Sequence, residues 1–388
     1  MLEEPLLRLM VFPAAATKPP KDCRHVILVV AENCNLSCRY CSQSRRSGSV
    51  MTLDIAKSCL LEERRRRRAT DGKTVDVEFF GGEPFLAFDV IRDTVEWAVK
   101  HEFPFRFRVQ TNGTVLDRGI RRWLERNRDV LSVGLSLDGF SEMNAENRGS
   151  EDVDVSFFRR LWPENRVSAL VAPRSVRWLS KTVAEFSTRE IPFRLSAADG
   201  ETWDLGSASQ LATQLQSCAD LPGMDYAEGL ASGLWPFDPG DFFPSERTGL
   251  VHFCGHKKSM ALYDTNGREW FCQMFSPAAL GETGAVRWRT ALQSVEWIEN
   301  DGQCLACATR RCCRPCFGWR CKIGNGPADA VEKRTTCLAV KTFAEISAWR
   351  FLRELERLRP DPGKLSEQDL FRARMSLRLL DRSMEDAD

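Results

Sequence analysis

Residues 34–41 read CNLSCRYC and follow directly on the apolar run HVILVVAE of residues 25–32. An unbroken apolar run of that length reads as a buried strand of a parallel sheet. The three cysteines, spaced C-x3-C-x2-C, therefore lie on a loop at the strand's C-terminal end. Three thiolates on one loop can hold three irons of a [4Fe–4S] cluster and leave the fourth iron without a protein ligand. A structural zinc site closes with four ligands, and no histidine stands nearby to complete one. The open corner is where an outside molecule can bind and receive an electron.

Outward from this loop, strand-like and helix-like stretches alternate. The strands are expected at His25–Glu32, Val75–Gly81, Phe105–Asn112, Leu131–Asp138, Val167–Pro173 and Phe193–Ala198, and the amphipathic helices at Leu53–Arg68, Phe88–Lys100, Gly119–Asn127 and Val176–Thr188. The βαβα order predicts an α/β fold with a parallel sheet and outer helices. Six repeats fit a partial (β/α)6 TIM-like barrel better than a closed eightfold one. Functional side chains of such folds gather at the C-terminal ends of the strands. There the chain carries Gly81-Gly82-Glu83-Pro84, then Thr111-Asn112-Gly113-Thr114, then Ser136-Leu137-Asp138-Gly139, with Arg148 shortly after.

The 388 residues, 43% of them apolar and 28% charged with a net charge of +1, are those of an ordinary globular chain. The balance gives no electrostatic reason to expect nucleic acid or a membrane surface as partner. The run Arg64–Arg68 follows Glu62 and Glu63 and reads as a solvated outer helix face. The opening MLEEPLLRLMVFPAAATKPPKDC has acids where an export signal needs positive charge, so a cytoplasmic protein is expected. Cytosolic thiols stay reduced, so the 15 cysteines point to metal or cluster ligation rather than disulfides. Cys23, Cys59 and Cys218 are scattered and read as small buried hydrophobes.

The expected organisation is an N-terminal segment (1–24), the barrel (25–220), a Gly/Pro/Asp/Ser-rich linker (221–250), a Cys-rich domain (251–340) and C-terminal helices (341–388). The Cys-rich part holds nine cysteines and few long periodic runs, so ligand bonds would stand in for a core. Cys254 and Cys272 bracket a hairpin, with Gly267 ahead of Cys272 in a G-x4-C pattern. Cys304-x2-Cys307-x5-Cys313-x2-Cys316 and Cys337 follow, with Cys312 and Cys321 as extra thiols. On softness alone these thiolates suit zinc as well as iron–sulfur clusters.

The loop Cys34–Cys41, with Tyr40 before its third cysteine, together with the strand ends that follow, resembles the radical S-adenosylmethionine (radical SAM) superfamily. The resemblance spans about residues 25–200. It implies that the GGEP segment holds the amino group of the SAM methionine, with Gly81, Gly82 and Glu83 there. It also implies that Asn112, Ser136 and Asp138 lie near the cofactor or substrate, and that Arg148 faces the SAM carboxylate. Many relatives have a His–Asp pair where this chain has Asn144-Ala145, so no titratable group is assigned at that point.

The second cysteine group resembles the SPASM extension, which carries auxiliary [4Fe–4S] clusters. Here Cys313 and Cys316 are separated by x2 where the family has x3. The resemblance implies one auxiliary cluster on Cys254, Cys272 and Cys316, another on Cys304, Cys307, Cys313 and Cys337, and Cys312 or Cys321 completing the first or left over. SPASM relatives act mostly on peptides. The chain is similar to maturases of ribosomally made peptides, which form C–C (including cyclophane) or thioether crosslinks, and more distantly to anaerobic sulfatase maturases. The resemblance implies a precursor peptide as substrate, a flavodoxin- or ferredoxin-type electron donor, and a leader-binding surface on this chain or a separate protein. Formylglycine formation, epimerisation or small-molecule modification is the alternative, and a non-catalytic zinc or cluster adaptor is the alternative of another class. For a general base, Asp264 and Glu269 in the hairpin are the candidates.

Overall fold

The structure is a computed structural model. It describes residues 24–43, 47–68, 75–140, 142–150, 153–235, 237–238, 260–291, 336–358 and 365–385, with 307–309, 313, 316, 318, 319 and 322 between them. The N-terminal segment, Cys23, Cys254, Cys304, Cys312 and Cys321 lie outside the described residues.

Six parallel strands succeed one another as β1 (Arg24–Ala31), β2 (Val75–Gly81), β3 (Phe105–Thr111), β4 (Leu131–Leu135), β5 (Val167–Val171) and β6 (Phe193–Ala197). Outer helices alternate with them: α1 (Leu53–Arg68), α2 (Phe88–Lys100), α3 (Arg118–Asn127), α4 (Glu142–Arg148), α5 (Val155–Leu161) and α6 (Leu179–Thr188). The parallel ladders run β1–β2, β2–β3, β3–β4 and β5–β6. A single bridge from Ser136 to Ser168 carries the curvature from β4 to β5. This is the partial α/β barrel that the alternation predicted, with each expected strand shortened by a residue or more at its C-terminal end except at Gly81.

Burial alternates along the strands because one face meets helices and the other the barrel interior. Val75, Val77, Phe79, Phe107, Val109, Val133, Ala169 and Val171 join Leu60, Ile91, Val95, Leu124 and Val183 of the helices in one core. The opposite parity is polar: Asp76 pairs with Arg106 and Glu78 with Arg108, each at 2.6 Å, and Gln110 donates to Ser136 at 2.7 Å.

Two features depart from the reading of the sequence. The hairpin β7 (Met260–Tyr263) and β8 (Glu269–Trp270) continues the barrel sheet, because β7 pairs in parallel with β1. Its Leu262 and Trp270 bury Ile27 and Val29, inward-facing residues of β1. The expected linker also contains structure. After α7 (Leu205–Ala219) comes α8 (Tyr226–Ser232), capped by Asp225 at its start and by left-handed Gly233 at its end. Tyr226 is fully buried against Phe351, ring centroids 5.2 Å apart, so a turn-rich composition concealed a packed helix.

Two short helices meeting at Gly281 follow as α9 (Pro277–Ala291). The C-terminal helices α10 (Cys337–Leu358) and α11 (Glu367–Glu385) pack on each other through Ala344, Ala348, Met375 and Leu379. Cys59 and Cys218 are buried in the core, as small hydrophobes are. The arginine run is drawn into ion pairs: Arg66 contacts Glu62, Glu63 and Glu269, and Arg65 contacts Glu62. Among the described residues no helix is long and apolar enough to cross a membrane.

Candidate functional site

The cysteine loop leaves the C-terminal end of β1 and returns to it. Glu32 N donates to Ser49 O at 3.0 Å and Met51 N to Val30 O at 2.9 Å, closing the excursion at its base. The buried Glu32 carboxylate accepts from the Ser47 amide at 3.1 Å and from the Ser47 hydroxyl. Within the loop, Cys41 N donates to Cys38 O at 3.1 Å, and Arg39 N reaches Asn147 O at 3.0 Å. Cys34, Cys38 and Cys41 are all partly exposed at the mouth of the barrel.

The two glycines at the end of β2 are required by this loop. A Cβ on Gly81, whose φ is +154°, would lie 1.9 Å from Ala31 O, and one on Gly82 would lie 2.2 Å from Asn33 O and 2.9 Å from Cys34 Cβ. Gly82 N instead donates to Ala31 O at 2.9 Å, and Glu83 N to Asn33 O at 2.8 Å. The backbone approach expected toward a ligand is made first toward the cysteine loop. Glu83 is 1% exposed, and its carboxylate accepts from Phe85 N at 3.1 Å, Thr111 Oγ1 at 2.7 Å and Asn112 N at 2.8 Å. Burial pushes this carboxyl above its ordinary range, against those three hydrogen bonds. Glu83 thereby ties the end of β2 to the end of β3. Asn112 completes the link, its amide donating to Asn35 Oδ1 at 3.0 Å and lying 3.9 Å from Cys34 Sγ.

Asp138, just past β4, forms a second tie. Its carboxylate is fully buried and meets Tyr40 Oη at 2.5 Å, Arg148 at 3.1 Å, Asn147 Nδ2 at 3.1 Å and Leu170 N at 2.9 Å. Asn144 accepts from the Asp138 amide at 3.0 Å. Burial, then the Asp138 charge, keeps the Tyr40 phenol protonated and donating. The Arg148 guanidinium lies 5.7 Å from the Tyr40 ring centroid. Burial raises the Cys38 thiol, and Arg148 opposes the rise. Asn144 was noted in the sequence only as a place without a titratable group and Asn147 not at all, because an asparagine in a short helix carries no signal until its partner is known.

A buried ion pair is dangerous to break from one side. Asp138→Asn removes the charge that Arg148 faces while leaving the shape. It is expected to cost about 3–5 kcal/mol, the usual penalty for stranding a buried charge, and thermal denaturation of the purified variant measures it.

The site fits the group that the cysteine spacing implies. Three sulfurs share one pinned loop, and Arg148 Nε is buried with no partner among the described residues, a cationic donor left over beside that loop. Among the described residues no three Cys, His, Asp or Glu side chains converge as they would around a single metal ion. A cubane does not ask them to, because each thiolate binds its own iron.

Of the second cysteine group, Cys272, Cys307, Cys313, Cys316 and Cys337 are described and partly exposed. Cys313 N donates to Thr309 O at 2.8 Å, Trp319 N to Cys316 O at 3.2 Å, and Cys337 opens α10. The two hairpin acids have structural duties. Asp264 is 3% exposed and accepts from Asn266 N, Arg268 N, Arg268 Nε and Trp270 Nε1 at 2.9–3.0 Å, which shapes the turn. Glu269 pairs with Arg66 at 2.9 Å and Arg24 at 3.5 Å, so α1 and the first residue of β1 claim it. Ser136 Oγ faces Gln110 on the inner wall. Asp199, two residues past β6, is an acid at the rim that the sequence reading passed over.

The comparisons agree with this geometry. The model of the radical SAM superfamily matches residues 28–157. An uncharacterized protein of Methanocaldococcus jannaschii, MJ0907, is 28% identical over 119 residues, which is 30% of this chain and 39% of that protein. An uncharacterized protein of Methanothermobacter thermautotrophicus is 31% identical over 132 residues, 32% of this chain and 47% of the relative. The matched stretch thus spans less than half the length of either curated relative. Among solved structures, anSMEcpe with bound AdoMet and the Cp18Cys peptide superposes with a TM-score of 0.61 at 18% identity, covering 87% of this chain and 99% of that one. Streptococcus suis SuiB bound to precursor peptide SuiA gives 0.50 at 17% identity, covering 77% and 72%. The cysteine loop at the end of β1 and the first four strands of the partial barrel thus make up a radical SAM superfamily domain.

Proposed function

We propose that this enzyme is a peptide maturase that joins two positions of a precursor peptide through a C–C (cyclophane) or thioether crosslink. The observation that carries the reading is the extent of the fold match. It runs over 87% of the chain, well beyond the cysteine loop, onto a structure solved with both AdoMet and a peptide. A [4Fe–4S] cluster held by Cys34, Cys38 and Cys41 would supply the electron that splits SAM into methionine and a 5′-deoxyadenosyl radical.

The chain's own residues do the rest. Glu83 and Asn112 hold the β2 and β3 ends against the loop, and Tyr40, Asp138 and Arg148 hold its far side. In this reading Arg148 Nε meets the SAM carboxylate, while Gly81, Gly82 and Ser136 line the remaining edge. A rigid loop fixes the direction in which a radical leaves, and a misplacement of about 1 Å can cost about 10²-fold in rate. Among the described residues β6 and the hairpin edge do not pair, and a peptide would enter between them.

The nine cysteines after residue 250 would hold two auxiliary clusters of the SPASM type. Cys254, Cys272 and Cys316 would serve one, with Cys312 or Cys321. Cys304, Cys307, Cys313 and Cys337 would serve the other. Each could accept the electron that a substrate radical must lose. A flavodoxin- or ferredoxin-type donor would feed the first cluster.

Two measurements test the proposal. Anaerobically reconstituted protein should hold about 8–12 irons, from two to three [4Fe–4S] clusters. Bound zinc without brown colour would point to an adaptor instead. Co-expression with a small peptide encoded beside the gene should then yield a peptide lighter by two hydrogens, with fragmentation placing the new bond between two residues. An unchanged mass rejects crosslinking. A two-hydrogen loss confined to one Ser, or the exchange of one Cys thiol for an aldehyde, identifies formylglycine formation.

A further inference from the structure

We propose that Asp199 is the proton acceptor for the substrate at the barrel mouth. The inference deepens the peptide reading and rests on it. After hydrogen abstraction, closing a crosslink requires the substrate radical to lose one electron and its X–H partner to lose one proton. The new C–X bond forms as the X–H bond breaks, the electron goes to an oxidised iron–sulfur cluster, and the proton needs a base. Oxidation of a single Cys or Ser side chain makes the same two demands.

Asp199 stands two residues beyond β6, at the strand end where the cysteine loop also lies. It is half-buried, and among the described residues its carboxylate has no hydrogen bond and no ion pair, unlike the engaged acids Glu32, Glu83 and Asp138 of the same rim. Its neighbour Gly200, at φ +81°, lies against the Trp319 indole so closely that a Cβ there would sit 2.5 Å from the ring. Three residues on, Lys322 donates to the Ser42 carbonyl, one residue past Cys41, and lies 5.0 Å from the Trp319 ring centroid. Trp319 at the Asp199 turn and Lys322 at the cysteine loop therefore link the two. They bring the acid, the Cys-rich segment and the radical source to one edge of the mouth.

The nearby charges leave Asp199 alone. Glu201 is paired with Arg174 at 2.7 Å, and Lys322 is directed to Ser42. Burial alone pushes the Asp199 carboxyl up to about 6. A base with that value is ionised at neutral pH and still holds a proton well enough to be useful.

The test uses reconstituted full-length wild type, Asp199→Asn and Asp199→Glu, with SAM, dithionite and a pool of short synthetic peptides carrying one Cys, Ser or Tyr. Asp199→Asn should still release 5′-deoxyadenosine at near wild-type rate while modified peptide falls about 10²-fold. Asp199→Glu should recover part of it. Wild-type peptide modification should fall as pH drops below about 6, because the base becomes protonated, and the variant should lack that inflection. Loss of 5′-deoxyadenosine in Asp199→Asn, or undiminished modification by it, overturns the proposal. A separate arm needs no peptide. A diazo reagent that esterifies protonated carboxyls should label Asp199 of the holoenzyme near pH 6, as read by peptide mapping. An Asp199 left unlabelled there overturns the proposal, whereas labelled Asp199 with no peptide product supports it and places the failure in the peptide reading. The ionised form is disfavoured by the fold, so at pH 7 Asp199→Asn should melt no lower than wild type. A large fall would mark a structural carboxylate instead.

Discussion

Replacing any one of Cys34, Cys38 and Cys41 with alanine is expected to abolish release of 5′-deoxyadenosine from SAM and dithionite. Each thiolate would bind a separate iron, so no remaining cysteine of the loop could take over a lost position. Cys59 and Cys218, the other described cysteines of the barrel, are buried in the core. The loop itself should survive, because its base is closed by backbone hydrogen bonds at Glu32 and Met51 rather than by sulfur. The variants should therefore fold, keep whatever iron the C-terminal cysteines hold, and lose radical formation alone. Anaerobic assay with iron analysis and circular dichroism separates these outcomes. Continued release of 5′-deoxyadenosine would remove this loop as the radical source.

Gly82→Ala should be nearly as damaging without touching a ligand. The added methyl would meet Asn33 O at 2.2 Å and Cys34 Cβ at 2.9 Å, and the first of these is backbone that no rotamer change can move aside. The cysteine loop must shift by roughly 1 Å, which is enough to cost about 10²-fold in a reaction that depends on orientation. Gly119→Ala, where the nearest heavy atom is Asp117 Oδ1 at 3.2 Å, serves as the control and should keep near wild-type activity. The expected signature is lowered iron occupancy and slow 5′-deoxyadenosine release in the first variant only. Equal activities in the two would show that the close approach of β2 to the loop has no role.

The barrel was legible because its strands are short apolar runs separated by amphipathic helices, and their order fixes a parallel topology. The helices Leu53–Arg68 and Phe88–Lys100 fall on the residues their periodicity indicates. The site was legible where a residue type has few other uses, as with the cysteine triplet and the paired glycines. It was less legible where partnership decides the role. Asp138 and Glu83 read as acids facing a ligand, yet each is buried under protein donors. Asp264 and Glu269 read as candidate general bases, and the structure shows one shaping a turn and the other joining α1 to the sheet. The helix Tyr226–Ser232 was hidden because its burial comes from α10, more than a hundred residues later. Asp199 was missed for the opposite reason: only the absence of partners among the described residues sets it apart, and a sequence does not display absence.

Low-temperature electron paramagnetic resonance of the dithionite-reduced protein, recorded before and after SAM is added, bears most directly on the central claim that this loop holds a cluster with one open iron. The wild type should show a reduced [4Fe–4S] signal that SAM shifts. The Cys34→Ala/Cys38→Ala/Cys41→Ala variant should lose that signal and keep only signals indifferent to SAM. A SAM-dependent shift that persists in the triple variant, or a wild-type signal that SAM leaves unchanged, would contradict it.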